Sequence, residues 1–270
     1  MPLPRVIATD LDGTLLRSDS TLSDRTRAAL RAARSAGIRV VAATARPARI
    51  IEALFTRDDI DAAIVGNGAG RYDPRTGELR WIRALEPALT ARLIDEIERL
   101  LPGAAFAVET GHRFLHEAAY HYRPALDWER YPVPRAQLAA QAVMKLLVLV
   151  AGSDPGAAWE TLRGSVDSIA ECTWSAGHGA ADTDYPAILE FAAVGVSKAA
   201  ALADLCEGWG VEPGEVCAFG DAPNDISMLE WAGAGYAVAN GHPEVLAATP
   251  HRVPGNDHDG VAAFLESLLG

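Results

Sequence analysis

The 270-residue sequence predicts an α/β protein in which a parallel sheet with helices on both faces is interrupted by an inserted α+β segment. Two features of the chain predict this fold. Short apolar runs alternate with helical patterns near both ends, which is typical of a parallel sheet. Between residues 82 and 186 that alternation is replaced by two extended patterns that flank Thr110-Gly111-His112, which indicates a hairpin.

Residues 1–81 alternate between strand and helix patterns. The apolar run Val6–Thr9 predicts a buried strand. Ser23 is an N-cap candidate for a helix that ends near Ala36, with Gly37 just past its end. The next predicted elements are a strand over Ile38–Thr44, a helix over Arg46–Phe55 with Pro47 in its first turn, and a strand over Ala62–Gly66.

Residues 82–186 predict a mixed α+β unit. Its predicted elements are a helix over Pro87–Leu101, a hairpin of Ala104–Glu109 and Arg113–Glu117, a strand over Val143–Ala151 and a helix near Asp154–Arg163. We therefore assign residues 82–186 to a separate inserted domain. Residues 1–81 and 187–270 are assigned to one discontinuous, Rossmann-like core.

The alternation of strands and helices resumes in the last third of the chain. Its predicted elements are a helix over Ser197–Trp209, a strand over Glu215–Gly220, a helix over Asn224–Ala232, and short strands at Ala237-Val238 and Arg252-Val253. The two parts of the core thus share one pattern, which a single parallel sheet explains.

The charge of the chain argues against a nucleic-acid partner. The net charge is −12, and neither residues 82–186 nor the remainder is basic, whereas phosphate backbones are bound by clustered Lys and Arg. The longest apolar run, Leu146–Ala151, is far shorter than the roughly 20 residues of a membrane helix. Asp10 and Asp12 interrupt the N-terminal apolar run before any secretory pattern. We therefore expect a cytoplasmic monomer or homodimer that binds neither nucleic acid nor membrane.

Asp10-Leu-Asp12-Gly13-Thr14 directly follows the first predicted strand. Ligands of open α/β sheets bind at the carboxyl ends of the strands. Two carboxylates placed there can bind a hard cation, or one can act as a nucleophile and the other as a general acid/base. Asp and Gly are also ordinary turn residues, so this motif alone leaves both interpretations open.

Further polar groups follow later strands or begin helices. Thr44 ends the second strand, where a hydroxyl beside backbone amides suits a phosphoryl oxygen, although it could simply cap the next helix. Lys198 is one of only two lysines and could bridge a phosphate and a carboxylate, or lie solvated on its helix. Asp221 and Asp225 could complete a metal site and orient a ligand, while Asn224 or Asp225 could also cap a helix.

In combination, these motifs resemble those of the haloacid dehalogenase superfamily of phosphohydrolases. The chain is most similar to the Cof-type branch, whose α/β cap is inserted between the second and third motifs. The matching segments are Asp10–Leu15, Val40–Arg46, Asn67-Gly68-Ala69, Ser197-Lys198, Gly220–Leu229 and Asn256–Val261. The chain departs from the family pattern at Ala45 and Ala199, where Gly is usual, and at Gly241, where Ala is common. These differences affect backbone freedom and remove no reactive group.

The resemblance implies a role for each matching residue. Asp10 would be the nucleophile, and Asp12 would protonate the leaving oxygen and then accept a proton from water. The implied Mg²⁺ ligands are the Asp10 carboxylate, the Asp12 backbone carbonyl and Asp221. Thr44 and Lys198 would clamp the phosphoryl oxygens, with Asn224 also at the phosphate and Asp225 placing Lys198 or a metal-bound water. Arg46 would either reach the substrate or pair with a surface carboxylate.

The function implied is that of a Mg²⁺-dependent phosphatase acting on a small phosphorylated metabolite, such as a sugar phosphate or a phosphorylated cofactor. A phosphomutase on the same scaffold and a non-catalytic binding protein are the alternatives. A dehalogenase is disfavoured, because Asp12 and the pair Asp221 and Asp225 suit phosphoryl transfer with a cation. The inserted cap is expected to choose the substrate, with candidate residues His112, Arg113, His116, His121, Arg123 and Trp128.

Overall fold

The computed structural model of the protein describes residues 3–121, 130–150, 155–166, 168–175 and 188–270. The strands are β1 (Val6–Thr9), β2 (Arg39–Ala43), β3 (Ala62–Val65), β4 (Gly70–Asp73), β5 (Glu78–Trp81), β6 (Ala105–Glu109), β7 (Phe114–His116), β8 (Arg130–Pro132), β9 (Lys145–Leu149), β10 (Glu171–Ser175), β11 (Ile188–Ala192), β12 (Val216–Gly220), β13 (Ala234–Val238) and β14 (His251–Val253). The helices are α1 (Asp24–Ser35), α2 (Ala48–Leu54), α3 (Pro87–Leu100), α4 (Arg135–Leu138), α5 (Pro155–Val166), α6 (Lys198–Gly208), α7 (Ile226–Trp231), α8 (Pro243–Ala248) and α9 (Gly260–Leu269). The chain divides into a core unit, Met1–Ile82 with Ser197–Gly270, and an insert unit, Arg83–Val196.

The core unit is built on one sheet with the strand order β14-β13-β12-β1-β2-β3-β4-β5. Neighbouring strands from β14 to β3 are parallel, and β4 and β5 extend the edge in antiparallel pairing. All residues of β1 are fully buried, because this central strand is covered on both faces. The parallel sheet confirms the predicted α/β class.

Helices pack on both faces of the core sheet. On one face, Ala218 of β12 belongs to a buried cluster with Leu202 of α6 and Met228 of α7. The next residue, Phe219, points to the opposite face, where its ring lies 5.1 Å from that of Phe264 in α9. The prediction of helices on both faces is thereby confirmed.

The insert unit is built on a second sheet with the strand order β10-β11-β9-β6-β7-β8. The pairing of β6 with β7 is the antiparallel hairpin predicted around Gly111. On one face of this sheet, Leu93 of α3 and Leu162 of α5 join Phe106 and Val148 in a buried cluster. Apolar residues on the other face form a smaller cluster that includes Phe114 and Leu147.

The chain leaves the insert unit at Val196 and not at the sequence-based limit of residue 186, a position that lies outside the described residues. The strand β11, which the sequence boundary assigned to the core, pairs with β9 and β10 of the insert sheet. An apolar strand carries no local mark of the sheet it joins, because its partners are distant in sequence. Arg123 and Trp128, two of the candidate cap residues, also lie outside the described residues.

The sequence pattern does not predict the hairpin of β4 and β5. Gly70 and Tyr72 of β4 are buried, but Glu78, Arg80 and Trp81 of β5 are exposed. Exposed and charged side chains are usual on an edge strand, where they discourage pairing with another chain. They also weaken the apolar alternation from which strands are recognised.

Two helices begin later than the sequence predicts. Arg46 precedes a proline and stays out of the helix, while Pro47 is the extended N-cap residue of α2. The turn Pro223–Asp225 is a 3₁₀ turn, and α7 begins only at Ile226. Among the helices that the structure describes, none combines the length and apolar character needed to span a bilayer.

Asp59 joins α1 to the segment that follows α2. Its carboxylate is fully buried, pairs with Arg27, and accepts a hydrogen bond from Arg31 Nε at 2.7 Å. The backbone N–H of Thr56 donates to Asp59 Oδ2 at 2.8 Å. Burial by itself raises the pKa of Asp59, but the hydrogen bonds from Thr56 and Arg31 and the charge of Arg27 hold it below its ordinary value.

We expect Asp59→Asn to lower the free energy of unfolding by about 2 kcal/mol at pH 7, because it leaves two guanidinium groups without their carboxylate. Since the folded state depresses this pKa, the stabilisation is complete above the ordinary pKa and is lost as pH falls through the depressed value. Urea titrations between pH 3 and pH 7 measure this difference. The exposed neighbour offers a matched control, Asp58→Asn, which should change stability by less than about 0.5 kcal/mol. Equal losses for the two variants would contradict the assignment.

Candidate active site

Three adjacent parallel strands bring polar residues to one edge of the core sheet. Asp10 follows β1 and Asp221 follows β12, and the N–H of Asp10 donates to the carbonyl of Phe219 at 2.9 Å. Thr44 follows β2, which pairs with β1 on the other side. Because the carboxyl ends of parallel strands meet at one edge, these three residues lie together where ligands of α/β sheets bind.

Lys198 is buried between two carboxylates. Its Nζ lies 2.7 Å from Asp10 Oδ1 and 2.6 Å from Asp225 Oδ1, and the lysine is 1% exposed. The N-cap Ser197 accepts a hydrogen bond from the N–H of Ala200, so α6 begins at Lys198 and directs it to the sheet edge. The interpretation of Lys198 as a solvated helix lysine is therefore wrong.

Asp225 is fixed by hydrogen bonds at both carboxylate oxygens. While Oδ1 accepts from Lys198, Oδ2 accepts from the N–H groups of Asp221 and Ala222, each at 3.0 Å. The side chain is fully buried. With both oxygens occupied, Asp225 orients Lys198 and the start of the Asp221 loop, which leaves Asp10 and Asp221 as the carboxylates that can hold a cation.

The carboxylates of Asp10, Asp221 and Asp225 lie within 4.8 Å of one another, and the ammonium of Lys198 pairs with two of them. Burial raises the pKa of Asp10 well above its ordinary value; Lys198 opposes this shift and Asp225 adds to it. Burial, together with the Asp225 charge, also raises the pKa of Asp221. Burial alone would lower the pKa of Lys198, but its two carboxylate partners raise it overall. A surplus of two negative charges fits an oxygen-bound divalent cation.

The turn after Asp10 packs directly on Asp221. Gly13 has φ +73°, and a Cβ at this position would lie 2.3 Å from Asp221 Oδ2. Thr14 Oγ1 donates to Asp221 Oδ1 at 2.7 Å. Gly13 thus leaves room for the Asp221 carboxylate, and Thr14 forms a hydrogen bond to it. The spacing of residues in the motif does not predict these two contacts.

Arg46 pairs with Asp12 through two hydrogen bonds. Arg46 Nε donates to Asp12 Oδ2 at 2.6 Å, and Nη2 contacts Oδ1. The Arg46 side chain is 13% exposed and that of Asp12 is 44% exposed. The carboxylate partner of Arg46 therefore belongs to the site itself, which neither sequence-based interpretation of Arg46 anticipated.

Thr44 and Asn224 each form a hydrogen bond with Asn67, in the loop that follows β3. Thr44 is fully buried, its Oγ1 accepts from the N–H of Arg46 at 3.1 Å, and its carbonyl accepts from the N–H of Asn67 at 2.9 Å. Since α2 begins at Ala48, Thr44 is not its cap. Asn224 Nδ2 donates to Asn67 Oδ1 at 3.0 Å. The resemblance had included Asn67 without a role, and its contacts now connect Thr44 to Asn224.

Comparison with known proteins agrees with this geometry. A family model described as haloacid dehalogenase-like hydrolase matches residues 7–265. The chain is 28% identical to 5-amino-6-(5-phospho-D-ribitylamino)uracil phosphatase YitU of Bacillus subtilis and 31% identical to pyridoxal phosphate phosphatase YbhA of Escherichia coli, each over 98% of both chains. A crystal structure of a protein from Eubacterium rectale matches with a TM-score of 0.85 at 24% identity, over 98% of both chains. The chain therefore belongs to the haloacid dehalogenase-like hydrolases, in their Cof-type phosphatase branch.

Proposed function

We propose that the protein is a Mg²⁺-dependent phosphatase that hydrolyses a small phosphorylated metabolite through an aspartyl-phosphate on Asp10. The observation that carries the proposal is the cluster of Asp10, Asp221 and Asp225 around a single buried ammonium, that of Lys198. Asp10 and Asp221, with the backbone carbonyl of Asp12, would hold the ion. When bound, Mg²⁺ would neutralise charge on the phosphoryl oxygens and align the phosphate with the nucleophile.

In the first step, a carboxylate oxygen of Asp10 forms a bond to phosphorus while the bond between phosphorus and the ester oxygen breaks. The ammonium of Lys198, 2.7 Å from Asp10 Oδ1, offsets the repulsion between the carboxylate and the phosphate. Asp12 gives a proton to the departing ester oxygen. Thr44, Lys198 and Asn224 would contact the phosphoryl oxygens, on which negative charge is spread in the transition state.

In the second step, water attacks phosphorus and the bond to Asp10 breaks, which releases phosphate and restores the carboxylate. Asp12 accepts the proton of that water. The half-exposed carboxylate of Asp12 is held at both oxygens by Arg46. Arg46 thus positions Asp12 in its ionised form, which is the form that accepts this proton, and need not touch the substrate.

The names of two relatives support the proposed substrate class. The two named relatives act on a phosphorylated ribitylamino-uracil and on pyridoxal phosphate. Both compounds are phosphomonoesters that carry a small nitrogen heterocycle. We therefore propose a phosphorylated cofactor or its precursor, or a sugar phosphate, as the substrate, with the insert unit selecting among them.

A panel of such phosphomonoesters, together with an aryl phosphate, tests the proposal by measuring released phosphate. We expect turnover in Mg²⁺, a loss of at least about 100-fold in EDTA, and recovery when Mg²⁺ is added back. An isomerised sugar phosphate without free phosphate would indicate a mutase instead. No Mg²⁺-dependent turnover of any compound would contradict the proposal and favour a binding protein.

A further inference from the structure

We propose that Asn240 is a positioning residue of the site: it holds the Asp12-Gly13-Thr14 turn in place and thereby orients the carboxylate of Asp221. The inference rests on the proposed function, since it concerns the cation site of the same enzyme. Asn240 follows β13, the neighbour of β12 on the side away from β1. It thus lies at the same edge of the sheet as Asp10 and Asp221.

Both the nitrogen and the oxygen of the Asn240 side-chain amide form hydrogen bonds. Its Nδ2 donates to the carbonyl of Gly13 at 2.8 Å, and its Oδ1 accepts from the N–H of Asn256 at 3.0 Å. Asn256 is itself buried, and its Nδ2 donates to the carbonyl of Leu16 at 2.9 Å. Because the amide oxygen faces an N–H group, the amide nitrogen must face Gly13, and the orientation of Asn240 is determined.

The hydrogen bond from Asn240 acts on the peptide unit that follows Gly13. Glycine rotates more freely than any other residue, so the peptide unit that joins Gly13 to Thr14 has little intrinsic preference for one orientation. The same peptide unit carries the backbone of Thr14, whose hydroxyl lies 2.7 Å from Asp221 Oδ1. The hydrogen bond from Asn240 therefore fixes the peptide that places the Thr14 hydroxyl on Asp221.

The loop of Asn240 also holds the backbone of Asp221. The N–H of His242 donates to the carbonyl of Asp221 at 2.7 Å. Asp221 is thus held from one loop in two ways, directly at its carbonyl and through the Gly13 turn at its carboxylate. Both contacts would position Asp221, which is a cation ligand in the proposed function, and neither would touch the phosphate.

Asp257, which also forms hydrogen bonds to the segment that follows Asp10, provides a matched control. Asp257 accepts hydrogen bonds from Ser18 N at 2.8 Å and from Ser18 Oγ at 2.7 Å. Like Asn240→Ala, Asp257→Ala removes hydrogen bonds to the segment that follows Asp10. The residue that it releases is Ser18, which has no hydrogen bond to Asp221 among those described. Comparing the two variants separates orientation of Asp221 from general loosening of the segment.

The test is a titration of each protein with Mn²⁺ in the absence of substrate, in which electron paramagnetic resonance measures the free ion. We expect Asn240→Ala to weaken Mn²⁺ binding about tenfold, in line with the loss of one or two hydrogen bonds, and to raise by a similar factor the Mg²⁺ concentration that gives half-maximal phosphate release. Asp257→Ala should stay within about twofold of the wild type. The urea midpoints of the two variants in EDTA should agree, which shows that folding is equally intact.

Wild-type affinity for Mn²⁺ in Asn240→Ala would overturn the inference, and so would an equal loss in Asp257→Ala. The binding comparison does not depend on turnover. If the wild type binds Mn²⁺ but releases phosphate from no compound, the proposed function fails, and the positioning role of Asn240 is still decided by the two affinities.

Discussion

Asp10→Asn is expected to abolish phosphate release, lowering the rate by about 10⁴-fold or more, while leaving the fold intact. The amide has the shape of the carboxylate but cannot form the bond to phosphorus. Unlike the carboxylate, the amide is neutral at every pH, and this predicts how the substitution changes the free energy of unfolding. Burial and the neighbouring carboxylate raise the pKa of Asp10, so without a divalent cation its ionisation costs stability as pH rises above the ordinary value. At pH 7 in EDTA the variant should therefore be at least as stable as the wild type.

Two measurements check this expectation. Initial rates with an aryl phosphate in Mg²⁺ give the loss of activity, and urea unfolding in EDTA gives the stability. Turnover within tenfold of the wild type would exclude Asp10 as the nucleophile. A variant that is inactive but also strongly destabilised would instead assign Asp10 a structural role beside Lys198.

Lys198→Met is expected to be the most destabilising substitution in the site. It leaves Asp10 and Asp225 facing each other without their ammonium, and both carboxylates are buried. Breaking a buried ion pair in this way typically costs about 3–5 kcal/mol. Burial raises the pKa of Asp10 and Lys198 opposes that shift, so without the ammonium the loss should grow as pH rises above the ordinary pKa of this carboxyl. Activity should fall by about 10³-fold or more, because the phosphoryl group loses its fixed cation.

Two further variants show whether charge is the cause. In the double variant Lys198→Met with Asp225→Asn, a large part of the lost stability should return, while activity stays low. The other lysine of the chain supplies the control: Lys145, paired with Glu190 at 2.7 Å, is more exposed, and Lys145→Met should cost no more than about 1 kcal/mol. Urea titrations of the four proteins make the comparison. No recovery of stability in the double variant would contradict the electrostatic explanation.

The sequence predicts most strands and helices because their signals are local. Val6–Thr9 is recognised from its own apolar run, and α1 from Ser23 and the glycine past its end. The β4 and β5 hairpin lacks such a signal, because an edge strand exposes most of its side chains. The limit of the insert is missed for a different reason: β11 pairs with β9, about 40 residues earlier in the chain, and its own residues do not specify that partner.

The site shows the same division between local and distant signals. Asp10 and Asp221 are recognised because each follows an apolar strand, and that rule needs only neighbouring residues. The pairing of Arg46 with Asp12 spans 34 positions, and that of Asn240 with Gly13 spans 227. Polar side chains of this kind look like ordinary loop residues until the sheet brings their strand ends together.

Local patterns along the chain therefore suffice to predict the α/β class, the strand-end positions of the reactive groups and the family to which the chain belongs. The contacts among those groups became visible only in the folded chain. It placed Lys198 between Asp10 and Asp225, gave Arg46 a partner in Asp12, and added Asn240 to the residues around the site. Secondary structure follows from the spacing of neighbouring residues, whereas a charge cluster depends on strand order and register, which join residues far apart in the chain.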